Sequence, residues 1–387
     1  MKRMAGRSAP HILIVAGEAS GDLHGAHLAK ALQELSPGVK IAAMGGKALA
    51  AHGVTLLADA AKLAVVGIVE VLSHLGEIRA AKAALERHLR EECPDLVILI
   101  DYPDFNLLLA RKAKKLGIPI LYYISPQVWA WRSGRVRTIR RLVNRMAVIL
   151  PFEQEFYARH GMAVDFVGHP LLDSVRTTLS REEFCIRHRI PAGNTLIGLL
   201  PGSRRKELAS ILPAFLAAAE QLAASHRHLT FLIPLAPTLS RADLDQCGLS
   251  DTKLDVRIIE EQRYDLMAAC QAVMAASGTV TLELAILGVP MVVSYRVSGL
   301  TYALGRRLIK VAYASLVNLV AGKRVVEELL QDDATPEKIG AAVGRLLEDA
   351  EYRQAMIAQL HEVRRALGEP GASRRTARLA LEMIERR

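Results

Sequence analysis

The sequence predicts an α/β protein made of two parallel-sheet domains in tandem, and three observations carry that expectation. Short runs rich in β-branched residues alternate with longer amphipathic stretches, the mark of strand and helix repeats about a parallel sheet. The alternation comes in two series, separated by a segment holding Gly168-His169-Pro170 and Pro191-Ala192-Gly193. The 387 residues, 51% apolar and 23% charged, are enough for two full hydrophobic cores.

In the first series, strands are expected at His11–Ala16, Lys40–Met44, Leu96–Ile100, Ile118–Tyr123 and Met146–Leu150, with helices in most intervals. Cys93-Pro94-Asp95 and Gly117-Ile118-Pro119 each mark a helix stop ahead of a strand. The linker is expected between Gly168 and Asn194. The second series follows with strands at Thr195–Leu200, Thr230–Pro234, Val256–Ile259, Ala272–Ala275 and Met291–Ser294. The chain therefore divides into a first domain over 1–170, a second over 190–365, and a C-terminal helix within 366–387 that can return to pack on the first. No short repeat or low-complexity segment interrupts this plan. Two such domains would leave a cleft facing the carboxyl ends of both sheets, where ligands bind in open α/β folds.

Composition removes several function classes. Cys93, Cys185, Cys247 and Cys270 lie far apart, with no Cys-x-x-Cys pair or histidine at ligand spacing, so neither a disulfide framework nor a zinc site is expected. A reducing cytosol fits that pattern. The apolar run Ile12–Ala16 behind Lys2, Arg3 and Arg7 stops at Gly17-Glu18, too early for an export signal. No run of about 18 uncharged apolar residues is present, so membrane contact is expected to be peripheral. A net charge of +10 implies an anionic partner without choosing among nucleotide, phosphorylated lipid, membrane surface and nucleic acid.

The motifs at strand ends are more specific. The first strand runs into Gly17-Glu18-Ala19-Ser20-Gly21-Asp22. Its glycines lie four apart, not in the dinucleotide arrangement, which disfavours a nicotinamide cofactor. Backbone N–H groups at such a helix start can hold a phosphate or sugar hydroxyl, which makes Ser20, Gly21 and Asp22 candidate ligands. The alternative is a capped turn, with Ser20 or Asp22 as cap. Asp101 follows the strand Leu96–Ile100 directly, placed to take a proton from an attacking hydroxyl. Asp104 or Asn106 in the same loop can instead serve as a helix cap.

Ser125-Pro126-Gln127-Val128-Trp129-Ala130-Trp131-Arg132 holds both tryptophans and leads into an arginine-rich stretch. If that stretch is helical, Val136, Ile139, Leu142, Val143 and Met146 share one face, and Arg137, Arg140, Arg141 and Arg145 the other. A basic amphipathic helix beside Trp129 and Trp131 suits an anionic lipid surface. A core-packed helix with a solvated basic face is the competing reading. No aromatic-basic RNA motif accompanies it, so nucleic acid is not expected as a partner.

In the second series, Pro201-Gly202-Ser203-Arg204-Arg205-Lys206 follows a strand and puts three cations at a helix amino terminus, where the macrodipole disfavours them unless an anion is bound. Ser277-Gly278-Thr279 repeats the arrangement after the strand Ala272–Ala275. There the helix start can hold a diphosphate, while Glu283, one turn in, can accept from ribose hydroxyls. Asp243-Leu244-Asp245 superficially matches the motif of metal-dependent sugar transferases but lies away from any strand end, so no metal is assigned. No phosphate-loop lysine motif or nucleophile elbow occurs.

Together these residues resemble one family, the lipid-A-disaccharide synthases, inverting glycosyltransferases whose two Rossmann-like domains face across a cleft in the arrangement called GT-B. The matching segments are Val15 to Asp22, Gly67-Ile68-Val69-Glu70-Val71-Leu72, Asp101 to Asn106, Ser125 to Arg132, Leu200 to Arg204 and Ser277 to Glu283. They span nearly the whole chain in the family's order, and as a set they are highly specific. Two departures stand out: Val66 where a methionine is expected, and Val317 where a proline often precedes the asparagine.

The resemblance implies transfer of 2,3-diacylglucosamine from UDP to 2,3-diacylglucosamine 1-phosphate (lipid X), forming a β-1→6 disaccharide with release of UDP and no cofactor. It implies Asp101 as base with Glu18 assisting, and Gly202, Ser203, Arg204, Ser277, Gly278, Thr279, Glu283 and Asn318 on the donor side. Acylated substrates call for an apolar surface, for which the 67–72 run and the segment from Trp129 to Met146 are the candidates. Peripheral attachment to the inner face of the cytoplasmic membrane follows, and self-association into a homo-oligomer is left open. The rival readings are a UDP-sugar epimerase, which would have no use for the Trp-Arg segment, and a non-catalytic nucleic-acid binder, which would leave Asp101 and Glu283 without work.

Overall fold

A computed structural model of the chain describes residues 9–60, 75–297 and 311–386. The chain forms two compact units, Met1–Pro170 together with Gly368–Arg387, and Leu171–Leu367. The 67–72 run and Val66 lie outside the described residues.

The first unit contains β1 (His11–Ala16), β2 (Lys40–Gly45), β3 (Thr55–Asp59), β4 (Leu96–Ile100), β5 (Ile120–Tyr123), β6 (Arg145–Val148) and β7 (Asp165–Phe166). All pair in parallel, in the order β3-β2-β1-β4-β5-β6-β7. The central strands are covered on both faces, which is why they read as unbroken apolar runs: Ile12–Ala16 and Leu96–Ile100 are fully buried. The strand expected from Ile118 starts two residues later, after Pro119, which has no N–H to give to a ladder.

Chain order reverses between β1 and β4, with β2 and β3 laid down on one side and β5 to β7 on the other. In a doubly wound sheet this is the switch point, where the connections diverge and leave a crevice at the carboxyl edge. The loops after β1 and β4 therefore carry Glu18 and Asp101 to that crevice. The C-terminal helix Ala372–Glu385 belongs to this unit and lies against the helix Ala19–Leu35 and β4. It buries Ala372, Ser373, Thr376, Ala377, Ala380 and Ile384, a stripe at helical spacing.

The expected basic face does not extend to Arg145. The helix stops at Leu142, and Val143 is already extended at φ −91 and ψ 132. Arg145 opens β6 and pairs with Asp165 at 2.8 Å and with Glu382 of the C-terminal helix at 3.0 Å. Strand pairing with β5 overrides the helical pattern, and Met146 is buried in the sheet rather than on a helix face.

The second unit contains β8 (Thr195–Leu200), β9 (Leu229–Pro234), β10 (Val256–Ile259), β11 (Ala272–Ala276), β12 (Met291–Tyr295) and β13 (Glu327–Leu330), parallel in the order β10-β9-β8-β11-β12-β13. Its switch point lies between β8 and β11, the strands that precede Gly202 and Ser277. Much of the expected linker is folded into this unit. Buried Asp265 accepts from the N–H groups of Thr178 and Leu179 at 2.6 and 2.8 Å and from the Thr178 hydroxyl at 2.9 Å.

One helix bears on the expectation that no run of about 18 uncharged apolar residues is present, and its uncharged stretch, 208–219 between Glu207 and Glu220, falls short of that length. Arg205–Ser225, with mean hydropathy 1.4, is long and apolar enough to cross a membrane. It is a core helix here, burying Leu208, Ile211, Leu212, Phe215, Ala218, Ala219 and Leu222 beside the helix Pro336–Glu348.

Candidate active site

At the carboxyl edge of β4 the backbone turns through two consecutive left-handed residues, Asp101 at φ 43 and Tyr102 at φ 42. Such a conformation costs a side-chain-bearing residue about 1–2 kcal/mol, so the surroundings must impose it. Two donors grip the Asp101 carbonyl: the Tyr122 hydroxyl at 2.5 Å and Asn106 Nδ2 at 2.8 Å. Asn106, fully buried, also donates to Ile100 O at 3.1 Å. Gly17 completes the turn by absence, because a Cβ there would lie 2.1 Å from the Tyr102 ring.

This clamp leaves the Asp101 carboxyl partly buried beside Glu18. Burial, and then the Glu18 charge, push it from its ordinary value of 3.8 up to about 6, with the Tyr102 N–H pulling the other way. A carboxylate poised near neutrality is what general-base chemistry requires. Glu18 is exposed and occupies the N-cap position of the helix Ala19–Leu35 without a side-chain cap bond. Ser20 is exposed and Gly21 is buried against Ala16 and Ile100.

Asp22 does other work. It is 7% exposed, and its oxygens accept from the N–H groups of Gly46 at 2.6 Å, Ala48 at 2.9 Å and Leu49 at 3.2 Å. It thus binds the start of the short helix Lys47–Ala50 rather than facing a sugar. Asp104 is likewise not a cap: it is exposed and pairs with Arg135. The cap position is held by Tyr102.

After β5, Ile124 takes φ 63, an outlier for a β-branched residue, and leads into the tryptophan segment. Ser125 is buried, with its Oγ 2.7 Å from the Tyr157 hydroxyl. Glu153, 1% exposed, accepts from the N–H groups of Ile149 and Leu150, and burial pushes its carboxyl up to about 7. Trp129 meets Phe152 edge-on, whereas Trp131 is 47% exposed with the Arg132 guanidinium 3.9 Å over its ring. Arg137, Arg140 and Arg141 are exposed on the helix Val136–Leu142.

In the second unit, Gly202 follows β8 at φ 105, with Glu207 Oε2 within 2.5 Å of where a Cβ would stand. The Ser203 carbonyl accepts from the Thr238 hydroxyl. Arg204 extends into solvent, 67% exposed and 3.1 Å from Glu207, while Arg205 pairs with Asp243 at 3.0 Å. After β11, the Ser277 hydroxyl is tied to Ala314 O at 2.9 Å, Gly278 has open space around it, and Thr279 leads into the helix Val280–Leu287. That helix begins at the carboxyl edge, so its first N–H groups open there.

Asn318 is not a ligand-facing group. It is fully buried; its Nδ2 donates to Val326 O and Glu328 Oε1, and its Oδ1 accepts from the N–H groups of Val325 and Val326. With Ser315, which also donates to Glu328, it fastens the segment before β13. Asp243 closes a capping box with Ser240, which explains the Asp-x-Asp spacing as helix chemistry. Among the described residues no cluster of three or more His, Cys, Asp or Glu side chains could hold a metal ion.

Residues 12–383 match the family model described as lipid-A-disaccharide synthetase. The chain is 49% identical to the lipid-A-disaccharide synthase of Geobacter sulfurreducens, covering 98% of this chain and 99% of that one. It is 50% identical to that of Syntrophus aciditrophicus over 97% and 98% of the two chains. Among solved structures it resembles the UDP-GlcNAc 2-epimerase of Neisseria meningitidis bound to UDP-GlcNAc, with TM-score 0.63 and 14% identity over 97% of this chain and 100% of the other. It also resembles a calicheamicin glycosyltransferase, with TM-score 0.62 and 17% identity over 98% and 99%. These structural likenesses share the fold of two parallel-sheet domains. With half its residues shared along nearly its full length, the chain belongs to the lipid-A-disaccharide synthase family.

Proposed function

We propose that the chain transfers 2,3-diacylglucosamine from UDP to 2,3-diacylglucosamine 1-phosphate, forming the β-1→6 lipid A disaccharide 1-phosphate and UDP. The observation that carries the mechanism is the Glu18–Asp101 carboxylate pair on a clamped turn, with Asp101 raised to about 6. Near neutral pH it is ionised yet still basic enough to accept the proton of the acceptor's 6-hydroxyl as that oxygen attacks the anomeric carbon. A single displacement inverts that carbon and needs no covalent intermediate.

The second unit binds the nucleotide in this reading. Arg204 and the start of the helix Val280–Leu287 offer a guanidinium and backbone N–H groups to the diphosphate, stabilising the charge that develops on departing UDP. Turnover then needs both units. Trp131 and the exposed arginines of Val136–Leu142 suit contact with an anionic membrane at its cytoplasmic face.

Mass spectrometry of products tests the reading directly. The purified chain mixed with the two acylated sugars, without added metal, should give the disaccharide 1-phosphate and stoichiometric UDP. UDP-GlcNAc epimerised in place of disaccharide formation, or no product with the acylated pair, would overturn it.

A further inference from the structure

Glu283 is 6% exposed, and all the bonding to its carboxylate enters through one oxygen. Oε1 accepts from Arg263 Nη2 at 2.5 Å and from the Tyr264 hydroxyl at 3.4 Å. Among the described residues Oε2 has no hydrogen-bond donor. Burial raises the carboxyl, and the Arg263 charge opposes that rise. The carboxyl group is thus held by one oxygen, with the other acceptor edge to spare.

Arg263 reaches this position by an unusual route. Gln262, at φ 62, turns the chain left-handed after β10, so that the helix Arg263–Ala269 packs on the helix Val280–Leu287. Arg263 stands at the start of its helix, where the macrodipole works against a cation. Its guanidinium also lies 4.6 Å over the Tyr264 ring and donates to the Tyr264 hydroxyl at 2.6 Å. Ring and hydroxyl together restrict it to one orientation, and its half-exposed placement is explained by the carboxylate it grips.

We propose that Arg263, seated on Tyr264, is a positioning residue for ribose recognition: it occupies one oxygen of Glu283 and aims the other at the vicinal hydroxyls of the donor nucleotide. Selection of a ribonucleotide over its 2′-deoxy analogue then runs through a residue that need not touch the sugar. The inference rests on the assignment of Glu283 to the donor nucleotide. A site built to bind a hydroxyl rejects the analogue lacking it, because its own polar atom is left unpaired.

Titration calorimetry of the full chain with UDP and with 2′-deoxyuridine 5′-diphosphate is the test. The unaltered protein should bind UDP at least about tenfold more tightly, as a hydrogen bond to a charged group implies. Arg263→Met should bring the ratio of the two dissociation constants close to one by weakening UDP alone, and Arg263→Lys should restore part of it. A ratio that survives Arg263→Met, or an equal loss for both nucleotides, overturns the proposal. Glu283→Gln separates the two levels. If it abolishes the ratio while Arg263→Met does not, only the positioning role fails; if it too preserves the ratio, the ribose assignment falls and the proposal with it.

Discussion

The hydroxyl of Tyr122, at the core of β5, donates to the carbonyl of Asp101 at the end of β4, and so ties the candidate base to the neighbouring strand. Burial, and then the Asp101 charge, hold the phenol well above its usual range, so it is a neutral donor near neutral pH. Asn106 makes the second bond to the same carbonyl. The left-handed turn is therefore held from the sheet and from the helix Pro103–Lys115 at once.

Tyr122→Phe should remove one of these bonds without opening a cavity. A neutral hydrogen bond contributes about 1 kcal/mol, which corresponds to a fall in kcat of roughly fivefold if it all serves to hold Asp101 in place. KM for both sugars should stay within about twofold. A rise in KM at constant kcat would show that the bond supports substrate binding and not the base.

Glu18→Gln should move the acid limb of kcat/KM to lower pH. The Glu18 charge is the second cause raising Asp101, after burial, so its loss lowers the pH at which the base ionises. Burial remains, so the limb should still lie above the ordinary 3.8. A pH profile that is unmoved, or displaced upward, would show that the two carboxylates do not interact in the working enzyme.

How much of this was legible in the sequence follows from burial. Strands β1, β4, β8 and β11 are covered on both faces and read as continuous apolar runs, and their ends located Glu18, Asp101, Gly202 and Ser277. Strand β3 is a largely exposed edge, β7 has two residues and β13 carries Glu327 and Glu328, so none shows that pattern. Asn318 is placed on the donor side by the resemblance alone, and no local spacing shows its partners, which are assembled only when β13 brings Glu328 beside Ser315. Tyr122 and Arg263 act across strands or helices, and no local spacing announces them. A bulky aromatic pair at a strand end, Tyr122-Tyr123, was the available signal for the first.

Asp101→Asn should abolish turnover yet stabilise the first unit above pH 6. The folded protein holds the Asp101 proton more tightly than the unfolded chain, so stability falls as pH rises from 3.8 through about 6. At higher pH the buried charge costs about 1–3 kcal/mol, and asparagine, which tolerates the left-handed backbone, removes that cost. Thermal melts at pH 8 should show the variant ahead, with the difference vanishing below pH 4. A variant no more stable at pH 8 would mean that the carboxylate is not desolvated as the turn implies.

Charge reversal should separate the arginines of the tryptophan segment into two groups. Arg137, Arg140 and Arg141 are exposed on one short helix, whereas Arg145 is 29% exposed between Asp165 and Glu382. A basic side chain near an anionic bilayer contributes about 1 kcal/mol of attraction. Reversing the first three to glutamate should therefore weaken binding to phosphatidylglycerol vesicles by more than about a hundredfold at low salt. The melting temperature should hardly change, because surface ion pairs contribute little to stability. Arg145→Glu should do the opposite: it sets a third carboxylate beside two others, loosening β7 and the C-terminal helix from β6 while the vesicle-facing charges stay in place. Co-sedimentation with vesicles, run beside thermal melts of both variants, distinguishes these outcomes. Undiminished sedimentation of the triple variant would place the lipid-binding surface elsewhere on the chain.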